Sequence, residues 1–131
     1  PYTATLSPSY PIDLVTKVKK AMSIRGPKYL HVYSGCPTGW RSDSDMTIQI
    51  GRLAVQTGVF PLYEVEYGRY RITVPMPERL PVEKYLETQR RFRHLMKAPR
   101  GPDGLTPLEK IQRRIDAEYK KLELKEKMTN G

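Results

Sequence analysis

The residues best suited to chemistry form one short run, Cys36-Pro37-Thr38-Gly39-Trp40, which holds the only cysteine of the chain. A thiolate is a soft ligand for iron or zinc and a strong nucleophile. The run follows Tyr29–Tyr33, whose β-branched and aromatic residues predict a strand that Ser34 and Gly35 end. On the residues alone, Cys36 is either a small buried hydrophobe or a thiol presented at the carboxyl end of that strand.

A chemical role for Cys36 needs further groups. A 4Fe–4S cluster takes about four thiolates, so the other three would have to come from polypeptide outside this chain. A nucleophile would need a histidine or a helix N-terminus close to the thiol. The acidic Asp43 and Asp45, near the start of the next predicted helix, would work against a thiolate.

The two histidines give no catalytic or metal-binding pattern. His31 and His94 lie 63 residues apart, and neither has an acidic neighbour or a second ligand at metal-binding spacing. This favours a structural role for His31. The chain also lacks a glycine-rich phosphate loop and a Gly-x-Ser-x-Gly elbow, which argues against a self-contained hydrolase.

The elements that would position the cysteine begin with a strand, a helix and a second strand. Tyr2–Leu6 reads as a strand, and Pro11 suits the first turn of a helix because its missing N–H has no partner there. With the strand at Tyr29–Tyr33 this is a βαβ pattern, which predicts a parallel sheet. One face of the helix is predicted to be apolar: Leu14, Val15, Val18, Ala21 and Met22.

After the cysteine loop, Ser42 or Asp43 is predicted to cap a second helix that ends at Gly58. Residues 60–66 and 69–74 predict a hairpin. In this hairpin Tyr63 and Val65 share an apolar face, and Glu64 and Glu66 share a solvent-exposed face. Prolines follow, and Pro81 opens a further helix.

The carboxyl-terminal part divides into a linker, 97–105, and a basic helical tail, 106–131. Thr106-Pro107-Leu108-Glu109 is a capping-box sequence with proline at the first helical position, which predicts a helix start. The helix carries a thin apolar stripe on a charged surface. We expect this stripe to dock on another subunit.

The composition indicates one domain that also buries surface against partners. The chain has 131 residues, 38% of them hydrophobic, and a formal net charge of +9. Residues 1–83 hold ten basic and seven acidic side chains, and residues 84–131 hold thirteen and seven. No apolar run is long enough for a membrane span, and a single cysteine fits a reducing cytoplasm, so we expect a cytoplasmic protein with no membrane partner.

Several segments together resemble a known family. They are Gly26–Trp40, Ile50–Gly58 with Pro61–Glu64, and Pro81–Leu86 with Gln89–Leu95. These segments resemble the carboxyl-terminal part of the β subunit of pyruvate:ferredoxin oxidoreductase and of related 2-oxoacid oxidoreductases. The resemblance covers about residues 2–96, and its most specific part is the Cys-Pro-Thr-Gly-Trp run with the helix after it.

The resemblance implies an enzyme that decarboxylates a 2-oxoacid, most simply pyruvate, with thiamine diphosphate and magnesium. Electrons pass through 4Fe–4S clusters to ferredoxin, and the acyl group leaves on coenzyme A. The implied partners are the other subunits, the amino-terminal half of the β subunit, ferredoxin, the 2-oxoacid and coenzyme A.

The same resemblance assigns a role to Cys36, and the chemistry of the turn gives two further residues a supporting role. Cys36 corresponds to the last of the four ligands of the cluster nearest the thiamine. Thr38 and Gly39 follow it, and their N–H groups can bond the cluster sulphurs, whereas Pro37 has none to offer. We expect Trp40 either to shield this site from water or to serve simple core packing.

The family's Gly-Asp-Gly magnesium motif and its Cys-x-x-Cys are not present in this sequence. The thiamine and magnesium sites are therefore expected mainly outside this chain, which would be inactive alone. The expected fold is α/β, the carboxyl-terminal portion of a thiamine-diphosphate-binding domain over residues 1–96, with a mostly parallel sheet, a hairpin and an extended C-terminal helix.

Two other interpretations of the basic surface remain open. One is a small basic module without catalysis that binds nucleic acid or an acidic protein; its nucleic-acid residues would be Arg90, Arg91, Arg93, Lys97 and Arg100. The sequence shows no recognition fold or aromatic-basic ribbon of the usual kinds, so we expect no nucleic-acid partner. The other is that Arg113 and Arg114 on the tail dock an acidic ferredoxin.

Overall fold

A four-stranded mixed sheet organises the chain. The computed structural model describes all 131 residues, and the strand order is β2-β1-β3-β4. The strands are β1 (Tyr2–Leu6), β2 (Lys28–Val32), β3 (Tyr63–Glu66) and β4 (Arg69–Ile72). Only β1 and β2 are parallel, since β3 runs antiparallel to both β1 and β4. The α/β class is confirmed, but the prediction of a mostly parallel sheet is wrong, because the hairpin adds its first strand to the second edge of β1.

Helix α1 (Pro11–Ser23) makes the predicted crossover from β1 to β2, with Pro11 in its first turn. Its predicted apolar face is only partly correct. Ala21 is buried as expected, but Met22 is 79% exposed and Val15 is 47% exposed. The helix therefore meets the sheet through a narrower strip than the sequence pattern suggests.

Lys17 takes part of the space that those apolar residues leave and is only 1% exposed. Its Nζ donates a hydrogen bond of 2.8 Å to the carbonyl oxygen of Thr5 and lies 2.8 Å from Asp13 Oδ2. Burial lowers the pKa of Lys17, and the Asp13 carboxylate opposes that shift. The ammonium is thus tolerated in the interior because it has both an acceptor and a counter-charge.

The hairpin of β3 and β4 turns at the predicted position. Tyr67 has φ of 47° and Gly68 has φ of 82°, and positive φ at both central positions is the geometry of a tight two-residue hairpin turn. The prediction of a solvent-exposed face is wrong for Glu64, which is only 2% exposed. Helix α1 covers that face, and Lys20 Nζ lies 2.7 Å from the Glu64 carboxylate.

Short helices surround a second core beside the sheet. They are α2 (Pro37–Trp40), α3 (Thr47–Gln56), α4 (Glu83–Leu86) and α5 (Arg93–Met96), with single 3₁₀ turns at Ser44–Met46 and Arg90–Phe92. Their shared buried residues are Ile50, Ala54, Val82, Tyr85 and Leu86. Gly58 follows α3 with φ of +83°, as predicted for a helix stop, but neither Ser42 nor Asp43 caps this helix.

Helix α6 (Pro107–Asn130) begins with the predicted capping box. The Glu109 amide donates to Thr106 Oγ1 at 3.2 Å, and the Thr106 amide donates to Glu109 Oε2 at 3.1 Å. Its apolar stripe packs on this same chain, where Leu108, Ile111 and Ile115 meet the second core. The stripe is therefore not free for another subunit, and any docking by α6 would fall to its charged faces. None of the helices is both long and apolar enough to cross a membrane.

Candidate functional site

Cys36 lies directly beyond the carboxyl end of β2. The parallel pairing of β1 and β2 closes with a hydrogen bond of 2.8 Å from the Tyr33 amide to the Leu6 carbonyl oxygen, and the chain then leaves the sheet. The Cys36 side chain is exposed. Within this chain the thiol is therefore not buried as a small hydrophobe, and it lies at the carboxyl end of a parallel strand, where ligands bind in α/β sheets.

The turn after Cys36 folds back onto its sulphur. Cys36 is the N-cap of α2, and its Sγ accepts a hydrogen bond of 3.3 Å from the Gly39 amide. A Cβ atom added to Gly39 would lie 3.1 Å from Sγ, tighter than an ordinary contact. Glycine thus permits the close approach of backbone and thiol. Thr38 lies exposed on the same turn.

The donor chemistry of this loop fits one ligand position of an iron–sulphur cluster. An exposed thiol with a backbone N–H directed at its sulphur is the pattern that such ligation uses. This chain brings no three His, Cys, Asp or Glu side chains together as a metal site. Because Cys36 is the only cysteine, further thiolate ligands would have to come from other polypeptide. The structure likewise offers no carboxylate set for magnesium.

His31 packs among aromatic rings. Its ring centroid lies 5.2 Å from that of Phe60, edge-on, and 6.2 Å from that of Tyr29. The other histidine, His94, lies on a different surface with several arginines. His31 is nevertheless exposed, so the structural role that the sequence favours stays a prediction.

Trp40 packs the cysteine turn against neighbouring side chains. Its ring meets Tyr33 edge-on at 5.7 Å, and the Arg91 guanidinium carbon lies 4.2 Å from its centroid. Tyr33 in turn shares a hydrogen bond of 3.0 Å with the hydroxyl of Tyr85. Trp40 is therefore a packing residue that ties the turn to the second core, and shielding of a site remains a prediction.

A basic groove opens beside the turn. We call it the arginine groove, and its lining residues are Gly39, Arg41, Arg90, Arg91, Arg93 and His94. Sequence reasoning grouped three of these arginines with Lys97 and Arg100, but neither of those two lines the groove, and Arg100 pairs with Glu109 at 2.9 Å. Arg41 was missed, although its place directly after the Cys-Pro-Thr-Gly-Trp run is a signal that would have found it.

A second polar cluster lies under the sheet and is structural. Glu64 is its centre, with hydrogen bonds from the Tyr2 hydroxyl, Lys20 and Arg71. Burial alone would raise the pKa of Glu64, but these three donors lower it to about 2. Burial together with the Glu64 hydrogen bond raises the pKa of the Tyr2 hydroxyl. The cluster joins β1, α1 and β4 to Glu64 on β3, and Arg71 at its edge stays 59% exposed.

Comparisons with known proteins identify the family of the chain. No protein-family profile matches the chain. It is 49% identical over 124 residues to the pyruvate synthase subunit PorB of Methanocaldococcus jannaschii, which is 95% of this chain and 39% of that protein. Over 128 residues it is 41% identical to PorB of Thermotoga maritima, or 98% of this chain and 39% of that protein.

A related subunit that is named for a different activity also matches. The ketoisovalerate oxidoreductase subunit VorB of Pyrococcus abyssi is 48% identical over 99 residues, which is 74% of this chain and 32% of VorB. The chain thus spans about two fifths of the length of the PorB relatives it matches. It belongs to the family of PorB and VorB subunits of 2-oxoacid:ferredoxin oxidoreductases, as a homologue of their carboxyl-terminal portion.

Proposed function

We propose that this chain supplies one thiolate ligand, Cys36, to a 4Fe–4S cluster in a 2-oxoacid:ferredoxin oxidoreductase. The observation that carries the proposal is the exposed Cys36 thiol at the end of β2, with the Gly39 amide 3.3 Å from its sulphur. When bound, such a cluster would relay electrons from a thiamine centre towards ferredoxin. In this proposal the remaining cluster ligands, thiamine diphosphate and magnesium lie mainly outside the chain.

The turn around Cys36 has three roles in this proposal. Cys36 holds one iron through its sulphur. The Gly39 amide donates to the Cys36 sulphur, and in this proposal the Thr38 amide is a second donor, since hydrogen bonds to sulphur raise a cluster's reduction potential. Pro37 fixes the backbone at the first helical position without adding a donor. Trp40 and Tyr33 hold the turn against the second core.

We propose pyruvate as the 2-oxoacid, with the acyl group passed to coenzyme A. The support is that two PorB subunits match along 95% and 98% of the chain; another PorB subunit matches along 72%, close to the 74% of the ketoisovalerate subunit. Steady-state assays of the complete enzyme with pyruvate and with 2-oxoisovalerate test this choice directly.

Replacement of the ligand tests the cluster assignment. In the complete enzyme, Cys36→Ser is expected to lower iron content and ferredoxin reduction while the subunit stays folded, because a serine oxygen is a much poorer ligand for iron than a thiolate. Ser34→Ala, at an exposed position on the same loop, is the matched control and should leave both at the wild-type level. Wild-type iron content and ferredoxin reduction in the Cys36→Ser enzyme would exclude the assignment.

A further inference from the structure

The connection that follows β1 carries two serines that face inward. We call residues 7–10 the serine turn; Ser7 is 0% exposed and Ser9 is 4% exposed. The turn also closes on itself. The Tyr10 amide donates to the Ser7 carbonyl oxygen at 3.0 Å, and the Ser9 amide donates to Ser7 Oγ at 3.2 Å. Most connections run over the protein surface, whereas this one is fastened to the interior by its side chains.

Ser9 joins the serine turn to α3. Its Oγ donates a hydrogen bond of 2.8 Å to the carbonyl oxygen of Ile48, in the first turn of that helix. A Cβ atom added to Gly51 would lie 2.1 Å from the same Oγ, so only glycine permits this approach of turn and helix. The guanidinium carbon of Arg52 lies 5.8 Å from the ring centroid of Tyr10. The serine turn and α3 therefore meet along a full helical turn.

The start of α3 has no capping side chain of its own. Met46 occupies the N-cap position without a side-chain hydrogen bond, and Thr47 Oγ1 donates instead to the Ser44 carbonyl oxygen of the preceding 3₁₀ turn, at 2.8 Å. A helix start without a capping side chain is weakly held. Ser9, which lies outside the helix, thus helps to fix the first turn of α3.

This end of α3 lies against the cysteine loop. A Cβ atom added to Gly35 would lie 3.4 Å from Thr47 Cγ2, so the backbone next to Cys36 rests on the first residue of α3. The serine turn and the cysteine loop also leave the sheet side by side, because the Tyr33 amide donates to the Leu6 carbonyl oxygen at 2.8 Å. The cysteine loop is therefore held between the end of β1 and a helix that the serine turn fixes.

We propose that Ser9 is a positioning residue for the Cys36 sulphur and acts through the first turn of α3. Because this role presupposes that Cys36 ligates the cluster, it rests on the proposed function. A site shared between separate segments needs each ligand held within about 0.5 Å of its place. Trp40 packs the turn after Cys36 against Tyr33, and Ser9 holds the loop before Cys36 through α3. Without the Ser9 bond the loop fluctuates more, and the cluster is held less tightly.

Thr57 provides the matched control for a role in stability alone. It is fully buried at the other end of α3, where its Oγ1 donates to the Leu53 carbonyl oxygen at 2.7 Å. Thr57→Val removes this hydroxyl and keeps the shape of the side chain. Thr57→Val and Ser9→Ala each delete one hydroxyl bond to a carbonyl of α3, so both should lower the melting temperature of the subunit. Only Ser9→Ala should change the cluster.

The test uses the complete enzyme, in which the cluster's signal is the part of the electron paramagnetic resonance spectrum that Cys36→Ser removes. Ser9→Ala should keep near wild-type iron content, because Cys36 itself is intact. The line shape of that signal should change. Iron release to a chelator should be about fivefold faster, the factor that the loss of one hydrogen bond corresponds to. Thr57→Val should keep the wild-type spectrum and release rate.

Gly51→Ala tests the same contact from the side of the helix. Its Cβ needs the place of Ser9 Oγ, so iron release should be at least as fast as in Ser9→Ala. The effects of the two changes should not add in the double variant, because both break one contact. Ser9→Ala carries the test by itself if Gly51→Ala fails to assemble.

A wild-type spectrum and release rate in Ser9→Ala would overturn the proposal. Equal acceleration of iron release in Thr57→Val would also overturn it, since a general loss of stability would then explain both variants. Failure of the proposed function is separately visible as normal iron content in the Cys36→Ser enzyme. In that case hydrogen exchange at the Gly39 amide still reports on Ser9: faster exchange in Ser9→Ala than in Thr57→Val supports positioning of the turn, and equal exchange excludes it.

Discussion

Gly39 allows the backbone to approach Cys36 Sγ, so replacing Gly39 tests whether this close approach matters. In Gly39→Ala the new Cβ would meet Sγ at 3.1 Å, which would push the sulphur away from the 3.3 Å hydrogen bond. We expect iron content in the complete enzyme to fall, though less than in Cys36→Ser, with iron analysis and electron paramagnetic resonance as the measurements.

The matched control for this change is Gly35→Ala on the same loop. A Cβ there meets Thr47 at 3.4 Å and Trp40 at 3.7 Å, which are ordinary contacts. The control should keep wild-type iron content. A loss of iron at Gly35→Ala that equalled the loss at Gly39→Ala would show that loop stiffness, and not the contact with the sulphur, explains both.

Glu64 makes the stability of the chain depend on pH. Its pKa is about 2 in the fold against 4.5 for a free side chain, so folding favours the charged form. The resulting stabilisation, of the order of 3 kcal/mol at most, is fully present above about pH 4.5 and is lost as the pH falls to about 2. We therefore expect Glu64→Gln to destabilise the subunit near pH 7 and to differ little from the wild type near pH 2, in denaturation followed by circular dichroism.

Glu66→Gln provides the comparison for that variant. Glu66 also meets Lys20, at 3.1 Å, but its side chain is 42% exposed, and exposed pairs contribute at most about 1 kcal/mol. Its effect on stability should be much smaller. A Glu64→Gln deficit that stayed constant from neutral to acid pH would contradict the ionic origin of the stabilisation.

At the scale of elements, α6 protects the edge strand β4. The Ile72 amide donates to Glu126 Oε2 and the Tyr70 amide donates to Thr129 Oγ1, at 2.5 and 2.9 Å. Side chains of a helix thus occupy backbone groups that an edge strand otherwise leaves open to pairing with other chains. This explains how a highly charged helix is held on the sheet with few buried apolar residues.

Glu126→Ala tests this arrangement. The Ile72 amide would lose its acceptor, at a cost of about 1–3 kcal/mol if water does not replace it, and we expect faster hydrogen exchange across β4. Glu123→Ala removes the same side chain three residues earlier on α6, where the carboxylate makes only a 3.9 Å contact with Arg79. Equal exchange of β4 in both variants would show that the amide bonds do not hold the strand.

Elements whose geometry depends on neighbouring residues could be predicted from the sequence. The capping box at Thr106, the hairpin turn at Gly68 and the strand end before Cys36 depend on neighbouring residues, and each was predicted. The mixed sheet was not, because local pattern does not say which edge a hairpin joins. Alternation placed Glu64 and Glu66 on one face correctly, but what covers that face depends on α1, which is distant in sequence. The arginine groove could not be predicted for the same reason, because it forms only where Arg41 lies beside residues 90–94, which are distant in sequence.

At the scale of the whole molecule, the chain leaves large apolar side chains exposed on β2 and α1. Strand β2 has a single neighbour in the sheet, and parallel strands are normally covered on both faces. Exposed large apolar side chains lie on β2 and on α1: Ile12, Val15, Met22, Tyr29 and Val32. The chain spans about two fifths of its PorB relatives, so there is polypeptide in those proteins with no counterpart here that could cover these side chains.

We predict that the free edge of β2 is paired or covered in the complete enzyme. Hydrogen exchange should therefore be slower for the amides of Lys28–Val32 in the complete enzyme than in the isolated chain, because an unpaired edge exposes its N–H groups to water. Strand β4 is the internal control, since α6 already binds its amides and its exchange should change little. Equal exchange of β2 in both forms would show that this edge stays open in the complete enzyme. A missing neighbour would then not explain why Tyr29 and Val32 are exposed.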